Sequence, residues 1–210
     1  MIETWIADIV PLYKEECYRK YYMQVPDFRK EKADRMRFQN GKAQSIGAWS
    51  LLEQIRKKYG ITERAAFNLS HSGDYVLCSV DMDCGEDTQV GCDIESVDEP
   101  NLKIAKRFFS PSEYELILAQ KSRGEQQEVF YRFWVLKESF MKATRQGMAL
   151  DMKSFEIQLG NPPVLMKKPE EFPRSYFYQE YKLSGIPYKI AVCSTEKEIN
   201  PKIHTELRFQ

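Results

Sequence analysis

From Phe130 to Thr144 the chain reads "FYRFWVLKESFMKAT", and no Pro or Gly interrupts it before Gly147. Phe130, Phe133, Trp134 and Met141 fall at offsets of 0, 3, 4 and 11, an apolar stripe of period near 3.6 that predicts a long helix. This constrains the fold more than any other feature, because such a helix is stable in water only with its stripe laid on another apolar surface. A second stripe, Ile46, Trp49, Leu52 and Ile55, runs through Ser45 to Tyr59, with Gly60 as its natural stop.

Strand-like segments surround both helices: Met1 to Val10, "YVLCSV" and "VGCDIESV" in the first half, "SFEIQLG", "RSYFYQEYKL" and "YKIAVCS" in the second. There is no close sequence repeat, yet each half offers one long helix and a few short strands. The expected architecture is α+β, two similar lobes over residues 1–98 and 99–210, joined near Asp98 to Leu102. Further helices are expected in "PLYKEECYRKYYMQV", stopped near Pro26, and in "LKIAKRFFSPSEYELILAQ". The acidic "DMDCGEDTQ" reads as a hairpin turn: its Gly85 comes one position early for a calcium loop and no twelfth-position Glu follows. "NPPVLMKKPEEFP" reads as a loop, and the last dozen residues as a weakly held tail.

Thirty-one basic and 31 acidic residues cancel, so overall charge makes no case for a nucleic-acid partner, and recognition of an acidic partner must rest on local patches. The five cysteines, Cys17, Cys78, Cys84, Cys92 and Cys193, are scattered without a C-x-x-C pair, which fits a reduced cytoplasmic chain without a zinc site or disulfide framework. The acidic residues of "MIETWIADIVPLYKEE" fit neither a signal peptide nor a membrane anchor. One segment is strongly basic: Arg29, Lys30, Lys32, Arg35, Arg37 and Lys42 form either a solvated helix face or an anion-binding surface.

Asp93 and Glu95 stand two apart in a strand, so both carboxylates share a face while Cys92 and Ile94 take the other. Alone they are a polar sheet face. Two same-face carboxylates also suit the sparse, water-retaining coordination of Mg²⁺, and a third from a helix would complete an open site. Glu138 and Lys142, one turn apart, read by themselves as a helix-supporting ion pair.

In order along the chain, "FNLSHSG", "GCDIE", "FFSPSE" and "WVLKESFMKATRQG" resemble the ordered motifs of the 4′-phosphopantetheinyl transferases, in the two-lobe type that activates surfactin synthetase. The resemblance covers Phe67 to Leu150. It implies two lobes related by a pseudo-two-fold, each with a long helix on a small, mostly antiparallel sheet. It also implies Mg²⁺-dependent transfer of phosphopantetheine from coenzyme A to a serine of an acyl or peptidyl carrier protein, by a monomeric cytoplasmic enzyme. Asp93, Glu95 and Glu138 match the family's Mg²⁺ ligands, and Lys142 its diphosphate contact. Glu138 matches the residue proposed to accept the serine proton. Ser70 and His71 match contacts to coenzyme A phosphate, and Arg29 and Lys32 fit its 3′-phosphate grip. Glu113 matches the F-x-x-x-E acid, with Phe109 as its Phe; the same residue completes a capping box with Ser110, and both readings stand. Lys137 is either a second phosphate contact or a stripe residue that snorkels out.

The family's Gly-Lys-Pro donor loop is absent, since only "GITERAA" separates Tyr59 from Phe67. That departure sets up a second reading, a non-catalytic relative that binds coenzyme A or carrier protein. Arg145 stands in the terminal glycine motif and would add a positive contact or occupy the surface.

Overall fold

A computed structural model describes residues 1–210. In chain order the first lobe contains β1 (Ile2–Asp8), α1 (Glu15–Tyr22), α2 (Asp27–Asp34), α3 (Gln39–Tyr59), β2 (Phe67–Ser72) and β3 (Tyr75–Asp81). The second contains β4 (Val90–Ser96), α4 (Leu102–Phe108), α5 (Pro111–Leu118), α6 (Arg123–Ala143), β5 (Glu156–Gln158), β6 (Val164–Lys167), β7 (Phe177–Tyr181) and β8 (Tyr188–Ser194). No helix is long and apolar enough to cross a membrane.

Both halves use one plan. A first strand leads through a 21-residue helix to two further strands, and the last strand takes the centre of an antiparallel three-stranded sheet: β1-β3-β2 in one lobe, β4-β8-β7 in the other. The β5–β6 hairpin is an addition to the second lobe. Each long helix lays its stripe on its own sheet, Ile46, Leu52 and Ile55 joining Val76 and Val80, and Phe133, Leu136 and Phe140 joining Tyr178 and Ala191. A third apolar layer, Ile2, Ile6 and Leu77 against Val90, Cys92, Ile94 and Val192, packs the two sheets together. All five cysteines are free.

The 82–89 segment is not a hairpin. β3 and β4 belong to different sheets, so it carries the chain from one to the other, upstream of the lobe junction expected at Asp98. The basic segment is divided: α2 ends at Asp34, and α3 begins at Gln39, six residues before the expected Ser45. "NPPVLMKKPEEFP" contains strand β6.

The chain's last dozen residues are also held, not loose. They run parallel to β1 along its open edge: Ile2 N donates to Glu198 O (2.7 Å), Asn200 N to Ile2 O, Ile6 N to His204 O and His204 N to Thr4 O (2.9 Å each). His204 stacks on Trp5 at 4.8 Å, and Phe209 is buried in the first lobe's core against the edge of Tyr21. An unpaired sheet edge is thereby covered.

Candidate active site

Strand alternation sends Val90, Cys92 and Ile94 into the layer between the sheets and turns Gly91, Asp93 and Glu95 toward α6. Gly91 makes the close approach possible, since a Cβ there would lie 2.0 Å from Ser139 O and 2.3 Å from Ala143 N. α6 therefore rests directly on the β4 backbone and brings Glu138 and Lys142 beside Asp93.

Lys142 does not pair with Glu138. Its Nζ lies 2.6 Å from Asp93 Oδ1 and donates to Ser70 Oγ at 2.9 Å, while Ser70 Oγ donates to the same Asp93 oxygen at 2.9 Å. Asp93 is 2% exposed, and its Oδ2 is buried without a partner. Ser72 Oγ donates to Glu95 Oε2 at 2.9 Å.

Burial raises the pKa of Asp93, against the pull of Lys142 and Ser70. Burial, then the Asp93 charge, pushes Glu95 up to about 7, and the same two causes raise Glu138. Burial works against the Lys142 charge too, but Asp93 overcomes it and leaves that pKa raised. Three partly desolvated carboxylates thus share one neighbourhood with one ammonium. No three acidic, histidine or cysteine side chains stand close enough together to hold a metal ion by themselves. The donor set nevertheless suits a hard divalent cation: all its donors are carboxylate oxygens, and one is buried and unpartnered.

His71 is exposed at the rim of this site. Desolvation, then the positive charges of Lys142, Lys32 and, more weakly, Arg29, lowers its pKa. The charges of Lys142, Lys32 and Arg29 thus all act on His71. Arg29 is half-buried, its guanidinium 4.7 Å over the Trp49 ring and its Nε without a partner, and burial lowers its pKa. Lys32 is exposed.

Glu113 and Lys137 lie elsewhere, in the second lobe's interior. Glu113 is 2% exposed and completes the capping box of α5: Ser110 N donates to its Oε2 at 2.9 Å, and Glu113 N donates to Ser110 Oγ at 3.3 Å. Ile157 N donates to Oε1 at 3.0 Å, and Lys137 Nζ stands 2.9 Å from Oε2. Lys137, fully buried, spends its other protons on Met152 O and Phe155 O at 2.7 and 2.8 Å. With every donor committed it does not snorkel, and neither residue reaches the carboxylate cluster. Ser70 is also committed, to Asp93 and Lys142, where a phosphate contact was expected. Arg145 is exposed and lines a separate polar cavity of 440 Å³ with Arg64, Thr88 and Arg174.

Sequence reading missed Asn68, Ser72 and Gly91. The first two were detectable as the polar face of "FNLSHS", where Asn68, Ser70 and Ser72 alternate with Phe67, Leu69 and His71.

A family model described as the 4′-phosphopantetheinyl transferase superfamily matches residues 89–193. The 4′-phosphopantetheinyl transferase Sfp of Bacillus subtilis is 38% identical over 135 residues, 64% of this chain and 57% of the relative. Another Bacillus subtilis 4′-phosphopantetheinyl transferase is 36% identical over 150 residues, 67% of this chain and 62% of the relative. The 4′-phosphopantetheinyl transferase psf-1 of Bacillus pumilus is 37% identical over 128 residues, 61% and 52%. The chain thus spans between half and two thirds of the length of the relatives it matches. The matched span runs from the turn before β4 to the end of β8 and takes in Asp93, Glu95, Glu138 and Lys142. The chain belongs to the 4′-phosphopantetheinyl transferase superfamily.

Proposed function

We propose that this protein transfers 4′-phosphopantetheine from coenzyme A to a serine of an apo acyl or peptidyl carrier protein, with Mg²⁺, and releases adenosine 3′,5′-bisphosphate. The observation that carries this reading is Asp93: a buried carboxylate at the junction of the lobes, one oxygen held by Lys142 and Ser70, the other without a partner, with Glu95 and Glu138 beside it.

Asp93, Glu95 and Glu138 would hold the metal, which when bound supplies positive charge to the diphosphate of the donor. The chain's own residues do the rest. The carrier serine oxygen forms a bond to the phosphorus on the pantetheine side, the bond from that phosphorus to the bridging oxygen breaks, and the bridging oxygen leaves with adenosine bisphosphate. Glu138 accepts the serine proton; burial and the Asp93 charge make it a stronger base than an ordinary carboxylate. Lys142 neutralises charge on the departing phosphate. Arg29, Lys32 and His71 bind the distant 3′-phosphate and hold the donor in place. Lys103, Lys106, Arg107, Lys121 and Arg123, on α4 and in the approach to α6, attract the acidic carrier. The protein acts as a cytoplasmic monomer.

The test mixes the protein with coenzyme A, Mg²⁺ and a panel of apo carrier proteins and reads the mass of each. A phosphopantetheine mass gain that disappears in Asp93→Ala and in Glu138→Ala, with both variants folded, is the expected result. Coenzyme A binding with no mass gain on any carrier would instead establish the non-catalytic binder.

A further inference from the structure

β2 and β4 are outer strands of different sheets, and no backbone ladder joins them. Side chains connect them instead. Asn68 Oδ1 accepts from Cys92 N at 3.0 Å, Ser70 Oγ donates to Asp93 Oδ1 at 2.9 Å, and Ser72 Oγ meets both Glu95 Oε2 at 2.9 Å and Ser96 N at 3.1 Å. Ser72 has one hydroxyl proton. Because Ser96 N–H points at its lone pair, that proton is committed to Glu95. On both β4 carboxylates a serine of the first lobe fixes one oxygen; the second oxygen of Asp93 is buried without a partner, and that of Glu95, a half-buried residue, accepts no side-chain bond.

We infer that Ser72 is a positioning residue for the divalent cation, one that sets the orientation of Glu95 from the opposite lobe. The inference rests on the carboxylate cluster being the metal site. By holding Oε2, the hydroxyl presents Oε1 to the cation, so metal affinity depends on a residue that does not touch the metal. Partners that orient a ligand in this way contribute about 10- to 100-fold in metal affinity.

The test uses the full chain and Mn²⁺ as the probe, with free Mn²⁺ read by its electron paramagnetic resonance signal. Ser72→Ala should weaken Mn²⁺ binding about 10-fold or more, and Ser72→Thr, which keeps the hydroxyl, should restore most of it. Asn68→Ala separates positioning from a loosened lobe junction: it removes a β2–β4 contact without touching a carboxylate and should lower the melting temperature while leaving Mn²⁺ affinity within about 3-fold of the unaltered chain. Equal Mn²⁺ affinity in Ser72→Ala and the unaltered chain overturns the inference, as does a loss in Asn68→Ala as large as that in Ser72→Ala. If the unaltered chain itself binds no Mn²⁺, the metal reading falls and this inference falls with it.

Discussion

Replacing Lys137 by Met separates stability from catalysis at the F-x-x-x-E acid. Met nearly matches the aliphatic length of Lys, so the change leaves little cavity and removes mainly the charge and three contacts, to Met152 O, Phe155 O and Glu113 Oε2. Glu113 keeps its two backbone donors, Ser110 N and Ile157 N, but remains a 2% exposed carboxylate without its cation. Breaking a buried pair in this way costs roughly 3–5 kcal/mol. In a chain of this size each kcal/mol lowers Tm by about 2–4 °C, which gives a fall of roughly 6–20 °C. Far-ultraviolet circular dichroism melts measure that fall, and transfer rates are compared well below the lowered transition. The expected result is a large loss of stability in Lys137→Met and in Glu113→Gln, with kcat in the cold within a few fold of the unaltered chain. Loss of turnover in Glu113→Gln at unchanged Tm would refute the structural role and restore Glu113 to the chemistry.

Two further outcomes follow from the charges in the cleft. In chelator the protein should lose stability as pH rises from about 4.5 to about 7, because the folded chain holds a proton on Glu95 that the unfolded chain has already released; Mg²⁺ added above pH 7 should reverse the loss, and melts from pH 5 to 8 with and without the ion will show whether it does. The double change Arg29→Ala with Lys32→Ala should raise KM for coenzyme A more than it lowers kcat while affecting dephospho-coenzyme A little, and an equal loss with both donors would mean that these side chains do not read the 3′-phosphate.

The sequence was most legible where the signal was local. Period 2 in "GCDIES" placed Asp93 and Glu95 on one face, and period 3.6 in α6 gave the helix that carries Glu138 and Lys142. Neither pattern specified that Lys142 would turn to Asp93 in place of Glu138, because that choice depends on Gly91 letting α6 settle onto β4. The acidic 82–89 turn reads as a hairpin since strands flank it. The change of sheet is dictated by the layer of Ile2, Leu77, Cys92 and Ile94, a partnership no local window contains. Lys137 illustrates the limit of spacing in another way: a Lys inside an apolar stripe is expected to reach water, and only the carbonyls of Met152 and Phe155 closing over it explain why it stays inside. The C-terminal segment had the weakest local signal, its hold coming from backbone bonds to β1, the His204 ring stacked on Trp5 and Phe209 buried against Tyr21, all partners distant in sequence.

The segment along β1 also bears on how the protein is made. A ribosome delivers the first lobe's helices and strands early, but β1 lacks its outer neighbour until residues 198–204 emerge, and the Tyr21 side of that core stays open until Phe209 follows. The second sheet waits almost as long, since β4 and β7 pair only through β8. The first lobe's own sheet and long helix are complete at Asp81, so an early N-terminal unit can form with only its β1 edge and the Tyr21 side of its core uncovered. The outer edge of β1 and the centre of the second sheet are therefore the parts of the fold that form last as the chain is made.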